Sequence, residues 1–234
     1  MDDGLLVRID AGPPAPRSRA REGKRAAIVR AATELFLAQG YQATSTEQIA
    51  AAAAVSKQTV YNQFADKRTL FAEIVLGVGA TADAFLAELA STVAAVGAAT
   101  EVEPALRRVA RRYLAVVGHP QVLALRRLVI SEATRFPDLA ADYYARTPSR
   151  VLEALAGHLA ELGRRGLLAV DDPARAADDL AFLLVGRVLD EGMFRPGVVR
   201  RDDTAVDRHA DHAVDVFLAA YPPSGGTGHR SSGS

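Results

Sequence analysis

Residues 44–68 constrain this chain more than any other stretch. From Ala43 they read ATSTEQIAAAAAVSKQTVYNQFADKR. A polar start at Thr44 and Ser45 precedes an alanine-rich helix. A break follows at Ala54-Val55-Ser56. A second short helix carries Lys57, Gln58, Thr59, Tyr61 and Asn62, and Asp66-Lys67 open the next one. This is the layout of a helix-turn-helix.

The second short helix has two unlike faces. At about 100° per residue, Val60 and Phe64 fall on one side, where they can pack on Ile49, Ala50 and Ala53 of the preceding helix. Gln58, Thr59 and Asn62 fall on the other, with Lys57 and Tyr61 at the flank. Short hydrogen-bonding side chains suit base edges: a Gln amide can bind adenine N6 and N7 together, and a Thr methyl can touch a thymine methyl. Lys57, Tyr61 and Lys67 suit phosphate oxygens, which fix register without reading sequence. With Thr44, Ser45 and Thr46 at the start of the first helix, these nine residues are the expected DNA contacts. The competing reading is a solvated bundle helix, but such a helix more often carries Glu and Arg.

Several further residues join this pattern: Ile28 to Phe36 (IVRAATELF), Gly40-Tyr41, Ile49-Ala50, Val55-Ser56-Lys57, Thr59-Val60-Tyr61, and Lys67 through Leu70-Phe71. On them, residues 24–76 resemble the N-terminal domain of the TetR family of bacterial transcriptional regulators. One position departs from the family pattern. The turn that usually holds Gly has Ala54, which in a positive-φ conformation would carry a cost of order 1 kcal/mol. Either the turn is strained or it closes differently.

The whole chain has 234 residues, is 49% hydrophobic and has a formal net charge of zero. The charge is unevenly spread. Residues 1–68 hold ten basic and seven acidic side chains and all three lysines of the chain; residues 8–30 alone hold seven basic and two acidic. A basic arm beside a helix-turn-helix is an electrostatic footprint for DNA, although a disordered tail can carry such charge by chance. The absence of cysteine excludes disulfides and thiolate ligands. No apolar run approaches the roughly 18 residues of a membrane span, so a soluble, cytoplasmic protein is expected.

The periodicity is helical throughout, so the fold class expected is all-α. Helices are predicted at about 23–39, 46–53, 57–63, from Asp66 to about 97, and at about 103–117, 121–135, 138–146, 148–165, 173–192 and 204–220. Thr44-x-x-Glu47 and Ser45-x-x-Gln48 both fit a capping box. Asp172-Pro173 is a strong start, Arg164-Arg165-Gly166 a strong stop, and Phe136-Pro137 and Thr147-Pro148 read as corners. The expected organisation is a disordered basic arm over 1–22, a three-helix DNA-binding domain over 23–68, a larger helical bundle over 69–221 and a disordered tail over 222–234. The resemblance implies that the bundle binds a small effector and makes a homodimer. The stretch Arg127–Arg135 through Phe136-Pro137 is weakly similar to one C-terminal subgroup of the family.

Candidate dimer residues are the stripes Val151, Leu155, Leu159 and Leu162, and Leu180, Leu184 and Val188, which intrachain packing would use equally well. The last helix, with Ala213, Val216, Phe217 and Ala220, is the rival. Candidate effector contacts are Phe85, Tyr113, Arg126, Glu132, Tyr143, Tyr144, Phe182 and Met193, in a pocket beside the long helix from Asp66. His209-x-x-His212 with Asp207, Asp211 and Asp215 has metal-like spacing, but its charge density reads as a solvated face, so neither metal nor cofactor is expected. His119 and His158 stand alone. No nucleophile–base pair can be assembled, which argues against an enzyme. The function expected is a repressor that binds a palindromic DNA operator as a homodimer and is released by a small molecule. The alternative is a DNA-binding regulator or architectural protein without a small ligand.

Overall fold

A computed structural model describes residues 19–195 and 203–224. The expected disordered arm up to residue 18 and the tail from residue 225 lie outside them. Among the described residues are eleven α-helices: α1 (Arg19–Ala43), α2 (Thr46–Ala52), α3 (Lys57–Gln63), α4 (Lys67–Gly77), α5 (Gly79–Ala94), α6 (Val102–Val117), α7 (Pro120–Glu132), α8 (Pro137–Tyr144), α9 (Arg150–Arg164), α10 (Pro173–Phe194) and α11 (Asp203–Ala220). The all-α class is as expected. At the edges, Arg19–Glu22 already belong to α1. Pro222–Ser224 are tied to the chain, since Ala169 N–H donates to the Pro222 carbonyl and Ser224 N–H to that of Leu167.

Local chemistry sets most boundaries. Ser45 caps α2 in a full capping box: Gln48 N–H donates to Ser45 Oγ (3.1 Å), and Ser45 N–H donates to Gln48 Oε1 (2.7 Å). Ser56 accepts from Thr59 N–H at the start of α3, Asp66 from Thr69 N–H at α4, and Asp172 from Arg175 N–H at α10. Gly166 (φ 66°) ends α9 in a Schellman motif, with Leu167 N–H donating to Leu162 O and Gly166 N–H to Gly163 O. Gly40 (φ 85°, ψ 167°) kinks α1, in a region open essentially to glycine alone.

Two expected features differ. The long helix from Asp66 is broken at Val78 into α4 and α5. Lys67–Ala94 taken together is long and apolar enough to cross a membrane by length and composition, contrary to the expectation that no apolar run approaches that length. The bent pair Ala99–Val117 and Pro120–Glu132 passes the same test. Core packing accounts for the apolarity of the first stretch: Leu70, Phe71, Ile74 and Val75 enter one core, and Phe85, Leu89 and Val93 enter another. The corner at Thr147-Pro148 is instead a π-helical turn, Ala145–Ser149, that joins α8 to α9. The wider turn accommodates the missing Pro148 N–H, and Thr147 Oγ1 donates to the Tyr143 carbonyl (2.5 Å).

The chain forms two compact units. Unit 1 contains residues up to Ala82 and Pro120–Pro148; unit 2 contains Asp83–His119 and the chain from Ser149 onward. Unit 1 is therefore more than the three helices of residues 23–68. Its core gathers Ile28, Ala32 and Phe36 of α1, Ile49 of α2, Val60 of α3 and Phe71 of α4 with Leu125, Leu128 and Val129 of α7 and Tyr143 of α8. Tyr41 sits among Phe36, Phe71 and Phe136, its ring centroid 4.8 Å from Phe71 and 5.0 Å from Phe136.

Unit 2 packs α9 on α10 and α6 on α11. All seven proposed dimer residues, Val151, Leu155, Leu159, Leu162, Leu180, Leu184 and Val188, are buried in this core. They are intrachain packing, not a free seam: α9 and α10 satisfy each other's apolar stripes. Of the rival helix, Ala213 and Phe217 are buried as well, whereas Val216 is exposed.

Ala54 occupies the left-handed region (φ 54°). Ala54 N–H donates to Ala51 O and Val55 N–H to Ala50 O, so α2 ends in a Schellman motif with alanine where glycine is favoured. The strained alternative is thus the one realised. Ala in this region costs about 1–2 kcal/mol, and glycine returns about 0.4–1 kcal/mol through the unfolded chain. Ala54→Gly should therefore raise unfolding free energy by about 0.5–1 kcal/mol in urea titrations. A loss of stability would contradict the strain.

Candidate nucleic-acid interface

Helix α3 is anchored by Val60 and by its C-cap Phe64, each only 3% exposed. The Arg25 guanidinium lies over the Phe64 ring, 4.5 Å from its centroid, and pairs with Glu73. With that side inward, Lys57, Gln58, Tyr61 and Asn62 are exposed, as the helical spacing required. Thr59 is partly covered, and its Oγ1 lies 2.8 Å from Ser56 Oγ. Gln58 Nε2 donates to Asn62 Oδ1 (3.0 Å). The outward face thus offers amides, a methyl and a phenol.

Charge on this face is paired internally. Lys57 forms an ion pair with Glu47 of α2 and lies 5.8 Å from the Tyr61 ring centroid. Hydrogen bonding to Glu47 raises the Lys57 pKa, and the same bond lowers that of Glu47. Both groups are solvent-exposed, so the pair orients Lys57 more than it stabilises the fold.

Two expected contacts have structural tasks. Thr44 is 1% exposed, and its hydroxyl donates to the Gly40 carbonyl (2.8 Å). Lys67 Nζ donates to the carbonyls of Tyr41 (2.9 Å) and Thr44 (2.8 Å) and lies 4.2 Å from the Tyr41 ring centroid. Burial, then the nearby Arg135 guanidinium, lowers its pKa against the pull of Glu132. Lys67 thereby clips the start of α4 to the α1–α2 corner, with two of its three donors engaged. Sequence alone did not reveal this, because the acceptors are backbone carbonyls 23 and 26 residues away. Ser45 and Thr46, at the start of α2, are half-buried.

The eight effector candidates are divided between the two units. Arg126, Glu132, Tyr143 and Tyr144 belong to unit 1; Phe85, Tyr113, Phe182 and Met193 belong to unit 2. Phe85 stacks on Tyr113 in the unit 2 core, while Tyr144 and Phe182 are exposed. A cavity of about 10 Å³ in unit 2 is lined instead by Leu89, Val93, Ala105, Leu106, Val109, Leu155, His158, Leu159, Leu162 and Leu180. It has room for about one water molecule, and burial lowers the pKa of the His158 imidazole on its wall. In the metal-like run, Asp211 and Asp215 pair with Arg107, Asp207 and Asp211 pair with Arg111, and His209 Nε2 bonds the Leu184 carbonyl (2.8 Å). The run is a solvated face, with Asp207, His212 and Asp215 exposed, that also clasps α11 to α6.

Family comparisons match this architecture. A model of bacterial regulatory proteins of the tetR family matches residues 28–74, and a model of the AefR-like transcriptional repressor C-terminal domain matches residues 104–223. The chain belongs to the TetR family. It is 34% identical over 194 residues to the HTH-type transcriptional regulator TcmR of Streptomyces glaucescens, covering 80% of each chain. A TetR-family regulator from Mesorhizobium loti is 38% identical, with a TM-score of 0.78 over 88% of this chain and 99% of that one. The flavonoid-responsive regulator FrrA is 32% identical, with a TM-score of 0.61 over 85% and 96%. The protein is thus a TetR-family transcriptional regulator, not an enzyme, and α2 and α3 are its DNA-binding helix-turn-helix.

The Lys67 clip separates from a phosphate contact by experiment. Lys67→Met removes two charge-assisted hydrogen bonds and should lower unfolding free energy by about 1–3 kcal/mol. The salt dependence of DNA binding should stay unchanged. Unaltered stability with a salt slope reduced by about one ion would make Lys67 a phosphate contact instead.

Proposed function

We propose that this regulator is a repressor that binds a palindromic operator as a homodimer and leaves it when a small apolar molecule enters unit 2. The observation that carries the DNA part is the outward face of α3, where Gln58, Thr59 and Asn62 stand beside Lys57 and Tyr61. The Gln58 amide and the Thr59 methyl read base edges in the major groove, and the neighbouring cation and phenol meet phosphates. Ser45 and Thr46 lie at the start of α2, where phosphate oxygens are favoured partners of helix N-termini.

A dimer is needed because one recognition helix spans only a few base pairs. Paired readers about 34–36 Å apart reach successive major-groove faces. The surface we assign lies on α10 and α11, which carry four of the seven large hydrophobic side chains exposed among the described residues: Phe182, Leu183, Phe194 and Val216. Phe182, Gly186, Leu189 and Met193 follow a single stripe along α10 by helical spacing. Phe182 is 61% exposed and Phe194 80%, a pattern that marks an association surface on a soluble domain. A two-fold axis would set the same patch against itself.

The effector reading rests on the apolar cavity between α5, α6, α9 and α10, within unit 2. FrrA is described as flavonoid-responsive, and an aromatic effector suits walls made of Leu and Val side chains. The molecule must bind a non-DNA conformation in which this core opens, or it shifts nothing. The tightness of the cavity favours a second reading, in which unit 2 answers to a protein partner instead. Reciprocal weakening of ligand and operator binding belongs to the first reading alone.

Selection from a randomised duplex library tests the DNA assignment. The native protein should enrich an inverted repeat. Gln58→Ala should flatten preference at one base pair of each half-site, at a cost of roughly 1–3 kcal/mol. Lys57→Ala should weaken all sequences alike and reduce the salt slope by about one ion. An unchanged preferred sequence for Gln58→Ala would remove Gln58 from the reading face.

Light scattering tests the interface. Phe182→Glu combined with Val216→Glu should give folded monomers, since each places an uncompensated carboxylate in an apolar contact. Leu155→Glu should unfold unit 2, because Leu155 lies in its core. Intact dimers of the double variant would place the interface elsewhere.

A further inference from the structure

The two amides that dominate the outward face of α3 are joined. Gln58 Nε2 donates to Asn62 Oδ1 at 3.0 Å, one helical turn apart, and both side chains are exposed. Their neighbours are engaged differently. Thr59 Oγ1 is within hydrogen-bond distance of Ser56 Oγ, and Lys57 is paired with Glu47. Gln58 and Asn62 therefore hold each other and nothing else of the described chain.

This pairing matters because a carboxamide is ambiguous. A flip of 180° about its last bond exchanges the donor NH₂ and the acceptor oxygen. An unheld Gln on a helix surface presents either order to a base edge. A bidentate contact to adenine requires one order, with N–H to N7 and oxygen accepting from N6–H. In the arrangement seen, one Nε2 hydrogen is given to Asn62 Oδ1, and the second hydrogen and Oε1 remain outward. That remaining pair is complementary to adenine. Asn62 keeps two outward donors, while its oxygen already accepts from Gln58.

We propose that Asn62 is a positioning residue for Gln58, holding its side chain in the observed arrangement, which is the one that reads adenine. The proposal rests on the operator-reading function above and names the base class read and the residue that enforces it. Ordering the long Gln side chain before DNA arrives also removes rotamer entropy that would otherwise be lost on binding.

The test uses library selection with the full-length protein and three variants. Gln58→Ala locates the base pair that Gln58 reads. Asn62→Ala should flatten the same base pair, removing a large part of the roughly 5- to 150-fold preference that a bidentate contact provides. Asn62→Asp keeps an acceptor for Gln58 Nε2. It should retain the adenine preference at that position while weakening every sequence through phosphate repulsion. Urea midpoints of both Asn62 variants should match the parent, since the side chain is exposed. Asn62→Ala that leaves the Gln58 base pair unchanged overturns the proposal. So does flattening at a different base pair, which would make Asn62 a reader in its own right. A native protein that enriches no sequence would refute operator reading itself, an outcome visible before any variant is compared.

Discussion

Burial of Val60 and Phe64 is the interaction on which the rest of the DNA-reading surface depends. Helix α3 has seven residues, far below the length at which a helix persists alone in water. It exists because its apolar side is held by the core of unit 1 and its first turn is capped by Ser56. Those anchors fix its rotation, and rotation decides which side chains face outward. The polarity of Gln58, Thr59 and Asn62 has meaning only because Val60 and Phe64 leave them no other direction.

The core that provides these anchors is broader than a free-standing helix-turn-helix. α7 and α8 add Leu125, Leu128, Val129 and Tyr143, and Phe136 completes the aromatic group around Tyr41. The C-terminal family match begins at residue 104 and includes both helices, whereas their contacts place them in unit 1. Family boundaries and packing boundaries differ because one follows the chain and the other follows contacts. Lys67 extends the same principle to polar groups. Its ammonium donates to two carbonyls at the α1–α2 corner, just beyond the Gly40 kink.

Unit 2 is held by a different balance. Its apolar stripes on α9 and α10 close on one another, and α6 meets α11 through arginines and aspartates. Arg107 reaches Glu103 and Asp215, and Arg111 reaches Asp211 (2.9 Å). These pairs are half-exposed, so their main effect is register and orientation. With the inward faces filled, the apolar side chains left on α10 and α11 stand out as a surface rather than a core.

What the sequence determined by itself was local. Capping side chains, Pro at helix starts, Gly166 and the 3.6-residue period placed most helix boundaries within a residue or two, because each signal acts over four or five positions. The two faces of α3 were legible for the same reason, as was the conflict between Ala54 and its turn. Tertiary structure alone decided which partner each apolar stripe met. Leu155 and Leu184 have the periodicity of a dimer seam and of a core, and only contacts across the fold distinguish the two. It alone turned Thr44 and Lys67 inward, joined α7 and α8 to unit 1, and matched the aspartates of α11 to arginines about a hundred residues away. Burial and charge pairing are properties of neighbours in space, and no spacing along the chain encodes them.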